Sequence, residues 1–277
     1  MDKIKVKIKD TSFQHCSYSN NPMPPVSFCE HMEWDWSTPS ENELTFYTHS
    51  TVNEALNDKN NNKVCWLLEP YDFVPTAYEI IKNNNSSFKY VFTHEKSLLD
   101  LGDNFKFMPF GGCWIEPEDR KLHPKNKLVS IIASNKSQLE GHKIRHHIIV
   151  TNKEKLDIFG NGYNYITKKI EGLGGYKFSV VIENCKRDYW FTEKLIDCLI
   201  TGTVPIYWGC PSIGDFFDTR GFIIIDDVDN ISKILNDLSV EKYEKMLPHI
   251  KKNLELSKNF TLGENQIFND YIKTGLL

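Results

Sequence analysis

The chain has 277 residues, 40% of them hydrophobic and 25% charged, with a formal net charge of −4. That is ordinary globular composition, enough for one large or two modest domains, without the strongly basic balance of a protein whose main task is gripping nucleic-acid phosphates. No stretch approaches the roughly 18 apolar residues of a membrane span.

The opening MDKIKVKIKD alternates charged and apolar residues. It reads as a first strand and not as a signal peptide, so a soluble, cytoplasmic protein is expected. Residues 60–63 and 83–87 read as polar loops, and the apolar run 64–68 between them as a buried strand. Pro75 is a plausible helix start, with helical character over 77–82, and 90–92 is another short strand. The charged stretch 117–127, with Pro117 and Pro124, reads as a linker, which places a domain boundary between residues 124 and 125. Then follow a buried strand over 128–133, a polar turn at Ser134-Asn135-Lys136, a helix over 142–150 and a strand over 155–160 ending on Gly160. A strand over 178–182 precedes a helix over 192–200, with Gly202 where a C-terminal cap belongs. Strands over 204–208 and 221–225 and a mostly helical segment from Leu235 complete the chain. Strand and helix alternate throughout, so a parallel α/β architecture is predicted, with a Rossmann-like second half.

Seven cysteines, Cys16, Cys29, Cys65, Cys113, Cys185, Cys198 and Cys210, are scattered without a CxxC pair. Reduced buried thiols are favoured over a disulfide framework or a structural zinc site.

Glu183 and Asn184 close the strand over 178–182, at the carboxyl edge where parallel sheets bind ligands. Thr192 can cap the next helix, with Glu193 and Lys194 in its first turn. Free N–H groups and the positive dipole end suit a diphosphate. Lys194 adds a full charge, and Glu193 can accept from a ribose diol. The competing reading of such a Glu–Lys pair is simple capping and solvation. His142, His146 and His147 invite a metal, but the spacing lacks a carboxylate partner and surface or phosphate-side histidines are favoured. Asp226-Asp227-Val228-Asp229 has the form of a metal-holding DxD, yet its place after the last strand favours a solvated helix start.

The stretch YKFSVVIEN, followed by DYWFTEKLIDCLITGTVPIYWGCPSI, resembles the donor-binding signature of the α-1,3-fucosyltransferase family. Tyr176, Lys177, Phe178, Glu183, Asn184, Thr192, Glu193, Lys194, Gly202, Val204, Pro205, Gly209 and Pro211 match in order. Upstream, Ser134-Asn135, Arg145 and Asp157-Ile158-Phe159-Gly160 resemble a second segment of the family. The resemblance implies a GT-B-type α/β fold, two Rossmann-like domains facing a central cleft. Residues 1–124 would form the acceptor side and 125–277 the donor side, the last helix packing back on the first domain. It further implies an inverting transfer from GDP-fucose, with no cofactor and no metal. Arg145, Asn184, Tyr189, Trp190, Thr192, Glu193 and Lys194 would bind the donor, Arg145 clamping its diphosphate. One position departs: Trp190 stands where the family has a tyrosine, with Tyr189 before it.

An inverting transfer also needs a base. The family takes it from a Glu in the N-terminal half, followed by a segment like Lys106-Phe107-Met108-Pro109. Glu69, Glu79, His94 and Glu95 are candidates; Glu95, just past the strand over 90–92, is preferred, with His94 beside it. Trp66 reads as core. Trp34 and Trp36, flanking Asp35, share one face if they lie on a strand, and that face is either core or acceptor cleft. The expected acceptor is a glycan hydroxyl. A modified nucleic-acid base, another nucleotide-sugar donor, or a non-catalytic nucleotide-sugar-binding protein are the alternatives. The intact Glu193–Lys194 pair speaks against the last, because unpaired charges in an idle cleft are costly.

Overall fold

The structure, a computed structural model, describes residues 3–11 and 29–277. The chain divides into two compact units, Met1–Phe110 with Leu262–Leu277, and Gly111–Thr261.

In the first unit, β1 (Ile4–Lys9), β2 (Met32–Asp35), β3 (Thr45–Thr48) and α1 (Val52–Asn57) lead to β4 (Lys63–Trp66) and α2 (Pro75–Asn84). β5 (Tyr90–Thr93), α3 (Lys96–Leu99) and β6 (Phe105–Phe107) follow. The strands form one parallel sheet in the order β2-β1-β3-β4-β5-β6. β3 and β4 are buried along their whole length, as parallel strands covered on both faces must be. Trp66 is core, as its apolar run predicts. Trp34 lies in β2, packs edge-on against Phe46 at 5.1 Å and donates its indole N–H to Glu264 at 3.0 Å. Trp36 falls just beyond β2 and packs on the same apolar cluster.

The segment over 83–87, expected as a loop, is helical: α2 runs to Asn84 and a 3-10 turn continues to Ser87. The Asn83 and Asn84 side chains donate to the carbonyls of Glu79 and Ile80, both at 2.8 Å, and so stay within the helix instead of breaking it.

His49, just past β3, is 6% exposed, and burial pushes its pKa down to about 4 against a smaller upward pull from Asp10. The folded state therefore binds this proton later than the unfolded chain. Stability from this site is complete above the ordinary value of 6.5 and is lost as pH falls toward 4. Denaturant unfolding at pH 7.5 and pH 4 should show a loss of stability that is smaller in His49→Gln than in the wild type by on the order of 3 kcal/mol; equal losses in both proteins would refute this.

The second unit holds β7 (Lys127–Ile132), α4 (Glu140–Asn152), β8 (Asp157–Phe159), α5 (Ile170–Leu173), β9 (Tyr176–Ile182) and α6 (Glu193–Ile200). β10 (Val204–Trp208), β11 (Ile223–Ile224), α7 (Ile231–Asn236) and α8 (Val240–Ser257) complete it. Its parallel sheet has the order β11-β10-β9-β7-β8. β9 is central and buried at every residue. The chain ends in the first unit with α9 (Gly263–Ile267) and a short π-turn. Gly202 closes α6 with φ 72°, its N–H donating to Leu199, which is the left-handed cap predicted for it.

Cys29, Cys65, Cys113, Cys185, Cys198 and Cys210 are buried free thiols, and Cys16 lies outside the described residues. Among the described residues no helix is long and apolar enough to cross a membrane.

Candidate functional site

At the carboxyl end of β9 the chain turns from Glu183 and Asn184 into the loop that leads to α6. Glu183 is fully buried and accepts from the Thr192 N–H at 2.9 Å and its hydroxyl at 2.7 Å. Burial pushes its carboxyl up, with Lys194 opposing. Thr192 in turn caps α6, its hydroxyl accepting from the Lys194 N–H at 3.3 Å. The Lys194 ammonium lies 3.2 Å from that hydroxyl, 3.1 Å from Glu193 Oε1 and 4.0 Å from Glu183 Oε2. Burial works against the charge on Glu193, but Lys194 and then Lys169 outweigh it and hold the carboxyl well below its ordinary range.

Arg145 reaches this edge from α4 and donates to Asn184 Oδ1 at 2.6 Å. It is only 5% exposed, which excludes a solvated helix residue, and its buried Nε has no partner among the described residues. Burial lowers its pKa while Glu183 and Glu193 sustain the charge. His142 on the first turn of α4 accepts from the Leu139 N–H at 3.2 Å. Burial, then Arg145, Lys136 and Lys194, push its pKa down to about 4, so it stands neutral in a positive field. α4 approaches β9 closely because residue 141 is glycine: a Cβ there would lie 1.7 Å from the Glu183 carbonyl oxygen. Two helix N-termini, an arginine and a lysine thus converge on one strand end, and that arrangement suits a diphosphate.

Residues 122–249 match the model of the glycosyltransferase family 10 (fucosyltransferase) C-terminal domain. That segment is a glycosyltransferase family 10 C-terminal domain. It is similar to the α-(1,3)-fucosyltransferase FucT of Helicobacter pylori, 37% identical over 95 residues, which are 34% of this chain and 18% of that protein. The match therefore spans less than a fifth of that relative's length. The fold is similar to a solved α1,3-fucosyltransferase with GDP, at TM-score 0.56 and 18% identity over 93% of this chain and 90% of that one. It is likewise similar to Anabaena HepE in complex with UDP-glucose, at TM-score 0.57 and 13% identity over 83% and 78%. At those identities the likeness establishes the fold alone, the two-unit GT-B type.

Of the family-type residues, Arg145 and Asn184 form one hydrogen-bonded pair, and Thr192, Glu193 and Lys194 form a second set with Glu183 at the same strand end. Trp190, at the departing position, is 1% exposed. Tyr189 is half-buried and holds φ 60°, a left-handed conformation that bulky residues seldom adopt and that marks functional loops. Its N–H donates to Ser212 Oγ at 2.8 Å.

His146 is engaged with the Tyr163 hydroxyl at 2.7 Å and the Lys136 carbonyl at 2.8 Å, while His147 is exposed. Asp227 caps a turn by accepting from the Asp229 N–H at 3.0 Å. Among the described residues no group of three or more His, Cys, Asp or Glu side chains is placed to hold a metal.

In the first unit, Glu95 follows β5 at the carboxyl edge of that sheet, half-buried, and accepts from Ser97 Oγ at 3.1 Å. His94 is buried, with its Nε2 3.5 Å from the Tyr78 hydroxyl. That hydroxyl donates to the Glu69 carbonyl at 2.9 Å, so the segments after β4 and β5 are tied together. Glu79 is exposed on α2.

Sequence reasoning missed Gly141, Lys169 and Asp197. Lys169 sits in a polar run without a motif, and Asp197 reads as one more helix residue.

Proposed function

We propose that this protein is an inverting glycosyltransferase that moves fucose from GDP-fucose to a hydroxyl of a glycan acceptor, without a metal or other cofactor. The observation that carries this reading is the Arg145–Asn184 and Glu183–Thr192–Lys194–Glu193 group at the carboxyl end of β9. The family 10 domain and the resemblance in the motif residues support it.

Glu193 accepts from the ribose diol. Lys194 and Arg145 neutralise the diphosphate as the bond from the sugar C1 to the phosphate oxygen breaks and GDP leaves. The acceptor oxygen attacks C1 from the opposite face and gives its proton to a base of the N-terminal unit, Glu95 in first place with His94 beside it. No second carboxylate is needed as a nucleophile. Trp190, standing where the family has a tyrosine, favours one second reading, the same fold with another nucleotide-sugar donor.

A calorimetric series with GDP, UDP, GDP-fucose and UDP-sugars, with and without EDTA, tests both. GDP binding indifferent to EDTA is the expected result. A preference for UDP would support the second reading, and loss of binding in EDTA would remove metal independence. Glu95→Gln should lower transfer about 100-fold or more while GDP still binds. If Glu69→Gln does so instead, the base follows β4 and not β5.

A further inference from the structure

We propose that Lys169 is a positioning residue of the donor site, the fixed counter-ion that keeps Glu193 in place for the ribose when Lys194 turns to the diphosphate. This rests on the donor-site reading above. Lys169 precedes α5, and its ammonium lies 2.7 Å from Asp197 Oδ2 and 3.6 Å from Glu193 Oε1. It also sits 4.5 Å from the centroid of the Trp114 ring. Glu193 and Asp197 are one turn apart on α6, so both carboxylates face the same way. The other Asp197 oxygen accepts from the Trp114 N–H at 2.6 Å. Carboxylate, ring and peptide therefore leave Lys169 one position.

The charges decide which lysine moves. Glu183, Glu193 and Asp197 face Arg145, Lys169 and Lys194, three against three. An arriving diphosphate adds negative charge and must draw a cation to itself. Lys194, with 26% of its side chain exposed and held chiefly by Glu193 and Thr192, is the freer of the two lysines. When it turns, Glu193 keeps a cationic neighbour only because Lys169 stays. Without Lys169 two carboxylates one turn apart would share a buried site, and one would take a proton. Glu193, left beside that proton and tethered by neither lysine, is no longer held toward the ribose diol.

The test uses the full chain and equilibrium binding of GDP and 2'-deoxy-GDP at pH 8 and pH 6. The double variant Lys169→Met/Asp197→Asn removes the buried pair together and leaves neither charge stranded. Lys169→Gln is the second variant, keeping a donor for Asp197. Wild type should prefer GDP to the deoxy analogue by about tenfold, the size of a lost charge-assisted hydrogen bond. In both variants that preference should collapse toward equality, and in Lys169→Gln, which keeps both carboxylates and whose complex takes up a proton, GDP affinity should rise from pH 8 to pH 6 relative to wild type. Lys169→Arg should restore both. A folded variant with the wild-type ribose preference and pH dependence would overturn the inference while leaving the donor reading intact. A wild-type protein that binds no nucleotide would overturn both.

Discussion

Replacing Lys194 with Met should lower the proposed fucosyl transfer by about 1000-fold, the effect of removing one preorganised charge from a leaving group, while the melting temperature barely moves. The second half follows from the local contacts. Lys194 is a quarter exposed, its backbone N–H to Thr192 survives the change, and Glu193 retains Lys169. Glu183 keeps both hydrogen bonds from Thr192 and needs no cation to stay satisfied. Arg145→Met should cost a similar factor in transfer, with some stability as well, because it leaves Asn184 Oδ1 without its 2.6 Å donor. The double variant should be little worse than either single one, since both act on the same charge in one step. Steady-state rates with melting curves decide the matter. A near-normal rate for Lys194→Met would remove this lysine from the chemistry.

The parts of this site that were legible in the sequence are those whose chemistry is local. Thr192, Glu193 and Lys194 announce a capped helix start, and Gly202 announces its end, because capping depends on residues within one turn. β9 reads as a strand over 178–182 because its buried positions there are mostly apolar, Phe178, Val180, Val181 and Ile182. The parts that were not legible depend on distant partners. Asp197 acquires its meaning from Trp114, 83 residues away, and from Lys169, 28 residues away. Nothing in a Lys-Lys dipeptide before a short helix distinguishes a pinned counter-ion from two solvated charges. Arg145 is similar, since its burial comes from the close approach of α4 to β9. The asparagines at 83–85 misled in the opposite direction, since asparagine favours turns until its amide finds a carbonyl one turn back.

Gly141→Ala tests whether that close approach builds the site. The added methyl would sit 1.7 Å from the Glu183 carbonyl oxygen, 2.8 Å from its carbon and 3.0 Å from the Asn184 carbonyl carbon. These are backbone atoms of the central strand's exit, so no rotamer change relieves the clash, and α4 must move away. The expected cost is about 3 kcal/mol, at the upper end for overpacking, or a fall in melting temperature on the order of 10 °C for a chain of this size. Displacing α4 also breaks the 3.0 Å bond from the Gly141 N–H to the Asn184 carbonyl and withdraws Arg145 from Asn184. GDP affinity should therefore fall about tenfold or more, even at a temperature where the variant is fully folded. Gly214→Ala is the control, because a Cβ there meets only Thr219 Cγ2 at 3.5 Å, an ordinary contact; its change should stay within about 0.5 kcal/mol. The two substitutions then separate two causes. Lys194→Met removes charge and spares the fold, whereas Gly141→Ala leaves every charge in the chain and moves the element that delivers one of them. If Gly141→Ala lost stability but bound GDP normally at low temperature, Arg145 would be a structural bridge to Asn184 and not a diphosphate ligand.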